Sequence, residues 1–220
     1  MKNVGNRSLS RQLGLLIVPL VLCPALGLAN SAAIQSFTNP TVWPNFDDED
    51  WSLGFEFSVI GSVTVDALGY NYFGVPLNNS HEVGLYNQSE VLLGSVTVTN
   101  GSTLSNGYLY SSLSSPVVLT TGNYWIAGTT LGENDGWIYT ADSIVTLPSI
   151  TYDSSWYNYG GGGVLSFPDN LASDRQYLEV NFLTSSSPTV PEPSSLALMG
   201  STLPLLAFLR RKLVDRTRNS

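Results

Sequence analysis

The chain has 220 residues and a formal net charge of −8. This charge is unevenly distributed, because residues 34–187 contain fifteen Asp and Glu residues, one Arg and no Lys, a formal charge near −14. Such a surface repels phosphate backbones, so no nucleic-acid partner is expected. The same segment has the length of one domain and is long enough to bury a core without disulfide bonds.

The N-terminal segment, residues 1–33, has the features of a secretory signal peptide. Three basic residues and no acidic residue precede an uncharged apolar stretch, residues 13–28, and small residues follow. The rule of small residues at the cleavage site predicts cleavage after Ala29 or after Ala33. Cys23 is the only cysteine and lies within this segment. A mature chain without cysteine has no disulfide bond and no thiol chemistry.

The residue pattern over 34–184 predicts an all-β domain, an antiparallel and jelly-roll-like β-sandwich. Apolar and polar residues alternate with a period of two, and Val, Thr, Tyr and Trp dominate, as they do in half-buried strands. Turn signals recur at short intervals, which favours a sandwich, and no helix is predicted inside this segment. The predicted strands cover residues 55–59, 63–68, 96–99, 108–110, 124–127 and 177–182.

Asn100-Gly101 is predicted to form a two-residue hairpin, because both residue types tolerate a positive φ. The other turn signals are Asn78-Asn79, Asn87-Gln88, Asn106-Gly107, Thr121-Gly122-Asn123 and the glycines 160–163.

Four consecutive acidic residues, Asp47, Asp48, Glu49 and Asp50, form a candidate calcium site. Their carboxylates repel one another, and Ca²⁺, which prefers oxygen ligands, would relieve that repulsion. The spacing matches no EF-hand loop, and a solvated acidic loop is the simpler interpretation. Residues 133–136 form a second acidic loop with the same two interpretations. No other cofactor is expected.

His81 is the only histidine, so any catalytic triad or histidine-dependent zinc site would need it. The sequence has no Gly-x-Ser-x-Gly and no His-Glu-x-x-His motif. We therefore expect His81 to be a packed or hydrogen-bonded structural residue, with a backbone carbonyl or Glu82 as its partner.

Trp156, Tyr157 and Tyr159 precede the run of four glycines and form a candidate glycan-binding platform, because flat rings stack on sugar faces. Strand alternation would place Trp156 and Asn158 on one side and the two tyrosines on the other. Packing of these rings in the core is the alternative, and we favour it for any single ring.

The C-terminal segment begins with a Ser/Pro linker, residues 185–193, which ends in Val190, Pro191, Glu192 and Pro193. Prolines favour an extended spacer here. Residues 194–209 carry no charge, and sixteen helical residues rise about 24 Å, marginal for a hydrocarbon core of about 30 Å. The basic cluster Arg210, Arg211 and Lys212 would stay in the cytoplasm. This pattern predicts a transmembrane helix over 194–212, a basic stop and a cytoplasmic tail, 213–220.

The order of Pro191-Glu192-Pro193, apolar segment and basic cluster resembles the PEP-CTERM sorting signal of Gram-negative bacteria. The resemblance implies processing by exosortase, a membrane peptidase. It also implies delivery from the inner membrane to the cell surface or to an extracellular matrix rich in exopolysaccharide. An uncut single-pass anchor is the alternative.

Residues 50–183 resemble a DUF4082-like, choice-of-anchor type β-sandwich found in exported bacterial surface proteins. The segments that carry the resemblance are 81–86, 92–98, 116–119, 122–124 and 180–182. The resemblance implies a compact sandwich without established catalytic residues. We therefore expect an exported, non-catalytic protein with a structural or adhesive role in a biofilm. The alternatives are a carbohydrate-binding module with exposed aromatic residues, and a small glycan hydrolase with paired carboxylates.

Overall fold

The computed structural model describes residues 30–46, 51–130 and 135–185. These residues form eleven strands with antiparallel pairing and contain no helix, so the all-β prediction is confirmed. Accordingly, the described segments include no helix able to cross a membrane. The strands are β1 (Ser31–Ala32), β2 (Ile34–Phe46), β3 (Trp51–Asn71), β4 (His81–Asn87), β5 (Leu92–Val98), β6 (Thr103–Ser105), β7 (Tyr108–Thr130), β8 (Asp135–Thr146), β9 (Ile150–Tyr159), β10 (Asn170–Ala172) and β11 (Val180–Ser185).

Two long strands, β3 and β7, form the centre of the larger sheet. They pair over almost their whole lengths, from Trp51 opposite Thr130 to Asn71 opposite Tyr108. The first half of β3 has β9 as its other neighbour, and the second half has β11. Beyond β7, the sheet continues through β4 to β5. The long strands therefore connect parts of the domain that pair with different neighbours.

A separate two-stranded sheet, β2 and β8, contributes to the same core and gives an arrangement consistent with a sandwich. Ile34 of β2 and Ile138 of β8 are both 1 % exposed and belong to one apolar cluster with Phe55 and Phe57 of β3. Strand alternation explains this packing, because every second residue of β3 points inward. The other fully buried large side chains of this cluster are Leu68, Tyr70, Leu85, Leu119, Ile126, Leu178 and Phe182.

The tight hairpin lies at Asn106-Gly107 and not at Asn100-Gly101, where the sequence predicted it. Ser105 pairs with Tyr108 across this turn, and the two turn residues have φ angles of 47° and 78°. Positive φ at both positions is the signature of a type I′ turn. Asn100 and Gly101 do lie in a turn, closed by a 3.0 Å hydrogen bond from the N–H of Ser102 to the carbonyl of Thr99. The strands on either side, β5 and β6, pair with β4 and β7 instead of each other.

The predicted turn at Thr121-Gly122-Asn123 is also wrong, because these residues lie inside β7. The β3–β7 register shifts opposite them, between Val59 and Ser62, where Gly61 has a φ of 82°. The turn signal thus marks an irregularity of the ladder. The remaining turn signals do lie between strands or at a strand end.

The first and last described strands are neighbours. Ser31 of β1 lies opposite Thr184 of β11. Ala33, which is fully buried, donates its N–H to the carbonyl of Phe182 and accepts a hydrogen bond from the N–H of Leu147. The ordered domain therefore includes residues before Ile34.

Candidate functional site

The outer face of β7, β3 and β9 brings together an indole ring, two carboxylates and an amide. In the register of the sheet, Glu56 lies opposite Trp125 on β7 and opposite Ser154 on β9. Because Phe55 and Phe57 point into the core, Glu56 points away from it. We call the group on this face the outer-face cluster; its members are Glu56, Ser58, Asn123, Asp153, Ser154 and Trp156.

The carboxylate of Glu56 links the three strands. Its Oε1 accepts a hydrogen bond from Nδ2 of Asn123 at 2.8 Å, and its Oε2 accepts from Nε1 of Trp156 at 3.1 Å and from Oγ of Ser154 at 3.2 Å. The second carboxylate, Asp153, accepts from the hydroxyl of Ser58. Asn123 and Asp153 are exposed, and Glu56 is partly exposed. These polar atoms are therefore held in place and still reach solvent.

The apolar end of the same face is covered by the segment that follows β9. Trp125 is 8 % exposed, and its ring centroid lies 6.0 Å from that of Trp156 and 5.5 Å from that of Phe167. Leu165 lies over Gly84, where an added Cβ would come within 2.5 Å of its Cδ2. The buried Nε1 of Trp125 has no hydrogen-bond partner. Trp156 thus lies between a covered apolar region and an open polar one.

The three residues predicted to form a glycan platform do not share one surface. Tyr157 and Tyr159 point to the other side of β9, as strand alternation predicts, and both contact Trp51, with ring centroids 5.4 and 4.5 Å apart. Tyr157 is partly buried against the apolar cluster that contains Leu53 and Trp137, whereas Tyr159 is 58 % exposed. Trp156 alone joins the outer-face cluster.

A second aromatic surface lies on β2 and β8. Trp43 is 52 % exposed and stacks on Trp137, with ring centroids 6.0 Å apart and planes 17° apart. Trp137 stacks in turn on Tyr177. Arg175 lies over the ring of Tyr139, 4.4 Å from its centroid. This surface presents one exposed ring, backed by a stack that fixes its orientation.

His81 is buried, with an exposure of 1 %. Its Nδ1 lies 2.7 Å from the carbonyl oxygen of Thr129, and its Nε2 lies 3.0 Å from Oδ2 of Asp135. Each ring nitrogen therefore faces an oxygen atom of the fold. The ring stacks on Tyr70, with centroids 3.8 Å apart and planes 3° apart. Both nitrogens are thus engaged within the fold. The backbone carbonyl of Thr129 is one of the two expected partners, and Asp135 takes the place of the other, Glu82.

Asp135 is fixed by three donors. Besides His81, the backbone N–H groups of Asn78 and Asn79 donate to its carboxylate at 2.7 and 2.9 Å. Burial acts to raise the pKa of Asp135, but these hydrogen bonds outweigh it and lower the pKa below its ordinary value. The contacts of Asp135 therefore join β8 to β4 and to the turn before β4.

Glu179 is the most unusual carboxyl group of the core. It is fully buried, and neither side-chain oxygen has a hydrogen bond of normal geometry. Burial raises its pKa to about 8, and the nearby backbone N–H groups of Glu179 and Ile138 offset this only in part. Glu179 is therefore mostly protonated at neutral pH, which avoids an isolated buried charge.

A cavity of about 650 Å³ lies between the start of β2 and the two turns after β3 and β6. Two of its polar side chains are turned towards the backbone: Nδ2 of Asn106 donates to the carbonyls of Ile34 and Gln35, and the hydroxyl of Tyr108 donates to that of Leu178.

Several predicted residues lie outside the described part of the chain. These are the candidate calcium ligands Asp47, Asp48, Glu49 and Asp50, the signal peptide up to residue 29, the sorting motif 190–193 and the basic stop 210–212. Within residues 30–46, 51–130 and 135–185, no three His, Cys, Asp or Glu side chains are grouped to hold a metal ion.

The sequence predicted Trp156 as a site residue but missed its neighbours. Alternation in β3 places Glu56 and Ser58 on the face away from the core, and this signal was available. Their contact with Trp156, 100 residues later than Glu56, depends on the β3–β9 register and has no local signal.

Two family models match the chain. One, described as a domain of unknown function (DUF4082), matches residues 37–179, and the other, the PEP-CTERM protein-sorting motif, matches residues 189–212. A search of curated proteins finds no match. The two matches cover the β-strand domain and the C-terminal segment separately.

Proposed function

Because the chain belongs to the DUF4082 family and ends in a PEP-CTERM sorting motif, we propose that it is a non-catalytic structural or adhesive protein of an exopolysaccharide layer or biofilm. The sorting motif marks it as an exported protein that is held transiently in the membrane and processed by exosortase. Cell surface and extracellular matrix are its proposed destinations.

The sorting motif is the observation that carries this proposal. The acidic domain is in keeping with it, since a strongly charged surface favours solubility outside the cell. The absence of a catalytic role is part of the proposal. It is supported by the two carboxylates of the outer-face cluster, each of which is held by hydrogen bonds on an open sheet face.

Carbohydrate binding is the second candidate function. The outer-face cluster favours it, because it combines an indole ring with carboxylate and amide groups in one place. A small glycan hydrolase, the third candidate, would need two carboxylates facing each other across a cleft. The two carboxylates of the outer-face cluster lie on an open sheet face instead.

Intact-mass analysis of the matrix and membrane fractions tests the proposal. We expect the matrix form to lack both the signal peptide and the residues after the sorting motif. Replacing Pro191, Glu192 and Pro193 with alanine should retain the protein in the membrane. A deletion strain should lose matrix cohesion, and only the unaltered gene should restore it. Unprocessed protein in the cytoplasm, or a normal biofilm without it, would contradict the proposal.

A further inference from the structure

We propose that the outer-face cluster binds a neutral, hydroxyl-rich polysaccharide. This inference rests on the exported location and the second candidate function given above, and it adds the site and the class of ligand. The site comprises Glu56, Ser58, Asn123, Asp153, Ser154 and Trp156, on three adjacent strands.

The chemistry of the cluster matches that of a sugar ring. A sugar presents hydroxyl groups around its rim and C–H groups on its faces. The carboxylates of Glu56 and Asp153 accept hydrogen bonds from hydroxyls, and the amide of Asn123 both donates and accepts. Trp156, partly exposed beside them, supplies an apolar ring for the C–H face.

The cluster is organised before any ligand arrives. Both oxygens of Glu56 are fixed by donors from β7 and β9, so the carboxylate keeps one orientation. A carboxylate has about four lone-pair positions, and Glu56 uses three, which leaves room for a ligand hydroxyl. Side chains that are already ordered lose little entropy when the ligand binds.

Charge selects a neutral ligand over an anionic one. The domain holds fifteen acidic residues, and its one basic residue, Arg175, lies on Tyr139, outside the cluster. Two carboxylates within the site would repel uronate, sulfate or phosphate groups.

A buried donor next to the site is a second observation that favours a ligand. The N–H of Trp125 has no partner, and a buried unsatisfied donor is costly. The ring of Trp125 packs against Phe167. Phe167 belongs to a segment that begins with glycines at positive φ: 95° at Gly160, 61° at Gly162 and 73° at Gly163.

Affinity electrophoresis of protein purified from the matrix of producing cells tests the proposal. The gels contain dextran, glucomannan or xylan as neutral polymers and polygalacturonate as the anionic one. We expect retardation by at least one neutral polymer and none by polygalacturonate. Glu56→Gln keeps the shape of the side chain, and Asn123→Ala changes an exposed one. Each should weaken binding about tenfold, as the loss of a charge-assisted or amide hydrogen bond implies.

Two exposed residues outside the cluster serve as controls. Tyr159→Ala removes a ring from the other side of β9, and Asp142→Asn removes an acidic charge from β8. Both should bind as the wild type does, and circular dichroism should confirm that all variants are folded.

If Glu56→Gln and Asn123→Ala bind normally while Tyr159→Ala does not, the site is elsewhere, but carbohydrate binding stands. If no neutral polymer retards the wild type, or if polygalacturonate does so equally, the proposal is wrong. Export and matrix location are measured separately, so neither result would contradict the proposed function.

Discussion

At the scale of single residues, two buried carboxyl groups make stability depend on pH in opposite directions. Asp135 has a lowered pKa, so its contribution is present above the ordinary value of 3.8 and is lost as the pH falls through the folded-state pKa. Glu179 has a pKa raised to about 8 from an ordinary 4.5. Between these two values the folded protein binds more protons than the unfolded chain, so stability falls as the pH rises. The two pH windows do not overlap.

Replacing Glu179 with Gln should remove the second of these effects. At pH 9 the wild type must either carry an unpaired buried charge or unfold. We therefore expect Glu179→Gln to be more stable there by several kcal/mol, on the order of 3–5. Near pH 4.5 the two proteins should be about equally stable. Urea unfolding at a series of pH values measures the difference.

The pH series reports on Glu179 only if the titratable groups around it keep their protonation state. The side chains that face Glu179 include Tyr70, Tyr108, Tyr152 and Tyr177. Burial raises their pKa values above the ordinary 10.0, and the charge of Glu179 adds to this. They remain neutral throughout the range from 4.5 to 9. Glu90→Gln, at an exposed turn, is the matched control and should leave the slope unaltered. A slope that persists in Glu179→Gln would show that another group causes it.

At the scale of elements, the sequence predicted parts of β3, β5, β7 and β11 but gave no strand for β2 or β8, and it did not predict which strands pair. The period-two pattern around Phe55 and Phe57 is local, and the structure follows it. The pairing of β3 with β9 on one half and β11 on the other depends on contacts distant in sequence. Glu179 and Asn181 illustrate the limit, because alternation alone does not predict that both are buried. The amide of Asn181 bonds to the N–H and carbonyl of Ile34, so β2 covers a face that would otherwise meet water.

The two Asn-Gly pairs provide a matched test of turn geometry. Gly107 has a φ of 78°, where a Cβ strains the backbone, whereas Gly101 has no positive φ and its Cβ would make an ordinary 3.5 Å contact with Thr99. Gly107→Ala should therefore lower the free energy of unfolding by about 1–2 kcal/mol. Gly101→Ala should change it by less than about 0.5 kcal/mol. Equal effects in thermal unfolding would contradict the assigned turn.

The position of β1 favours cleavage after Ala29 over cleavage after Ala33. Cleavage after Ala33 would remove Ser31 and Ala32, the partners of Leu183 and Thr184, and with them the hydrogen bonds of Ala33. Cleavage after Ala29 keeps all of these. We expect the mature protein to begin at Asn30, as determined by N-terminal sequencing of exported material. A mature chain that begins at Ile34 would show that β1 is dispensable.

At the scale of the whole molecule, the dominant property is the excess of acidic residues in the domain. Fifteen acidic residues against one basic residue repel one another most strongly in the compact state. Within the described residues, Arg175 and Asp174 form an ion pair that offsets this repulsion; it is 3.6 Å long and partly exposed. Stability should therefore respond to ionic strength.

Raising NaCl from 10 mM to 500 mM should increase the melting temperature by a few degrees, because the screening length falls from about 30 Å to less than 10 Å. Calcium chloride at matched ionic strength separates screening from binding. An extra increase with Ca²⁺ that a chelator reverses would indicate an ion site, with Asp47 to Asp50 as the candidate ligands. No response to NaCl would mean that repulsion contributes little to the folding balance.

The adjacency of β1 and β11 also has a consequence for the order in which the domain folds during secretion. Ser31 and Thr184 are paired, although 152 residues separate them along the chain. A polypeptide that crosses the inner membrane from its N-terminus exposes β1 first and β11 last, so the sheet is incomplete until almost the whole domain has been translocated. Contacts between such distant segments form slowly, and open strand edges invite aggregation in the meantime. A sorting segment that pauses in the bilayer directly after β11 would keep each molecule isolated for that interval, and release would follow once the last strand is in place.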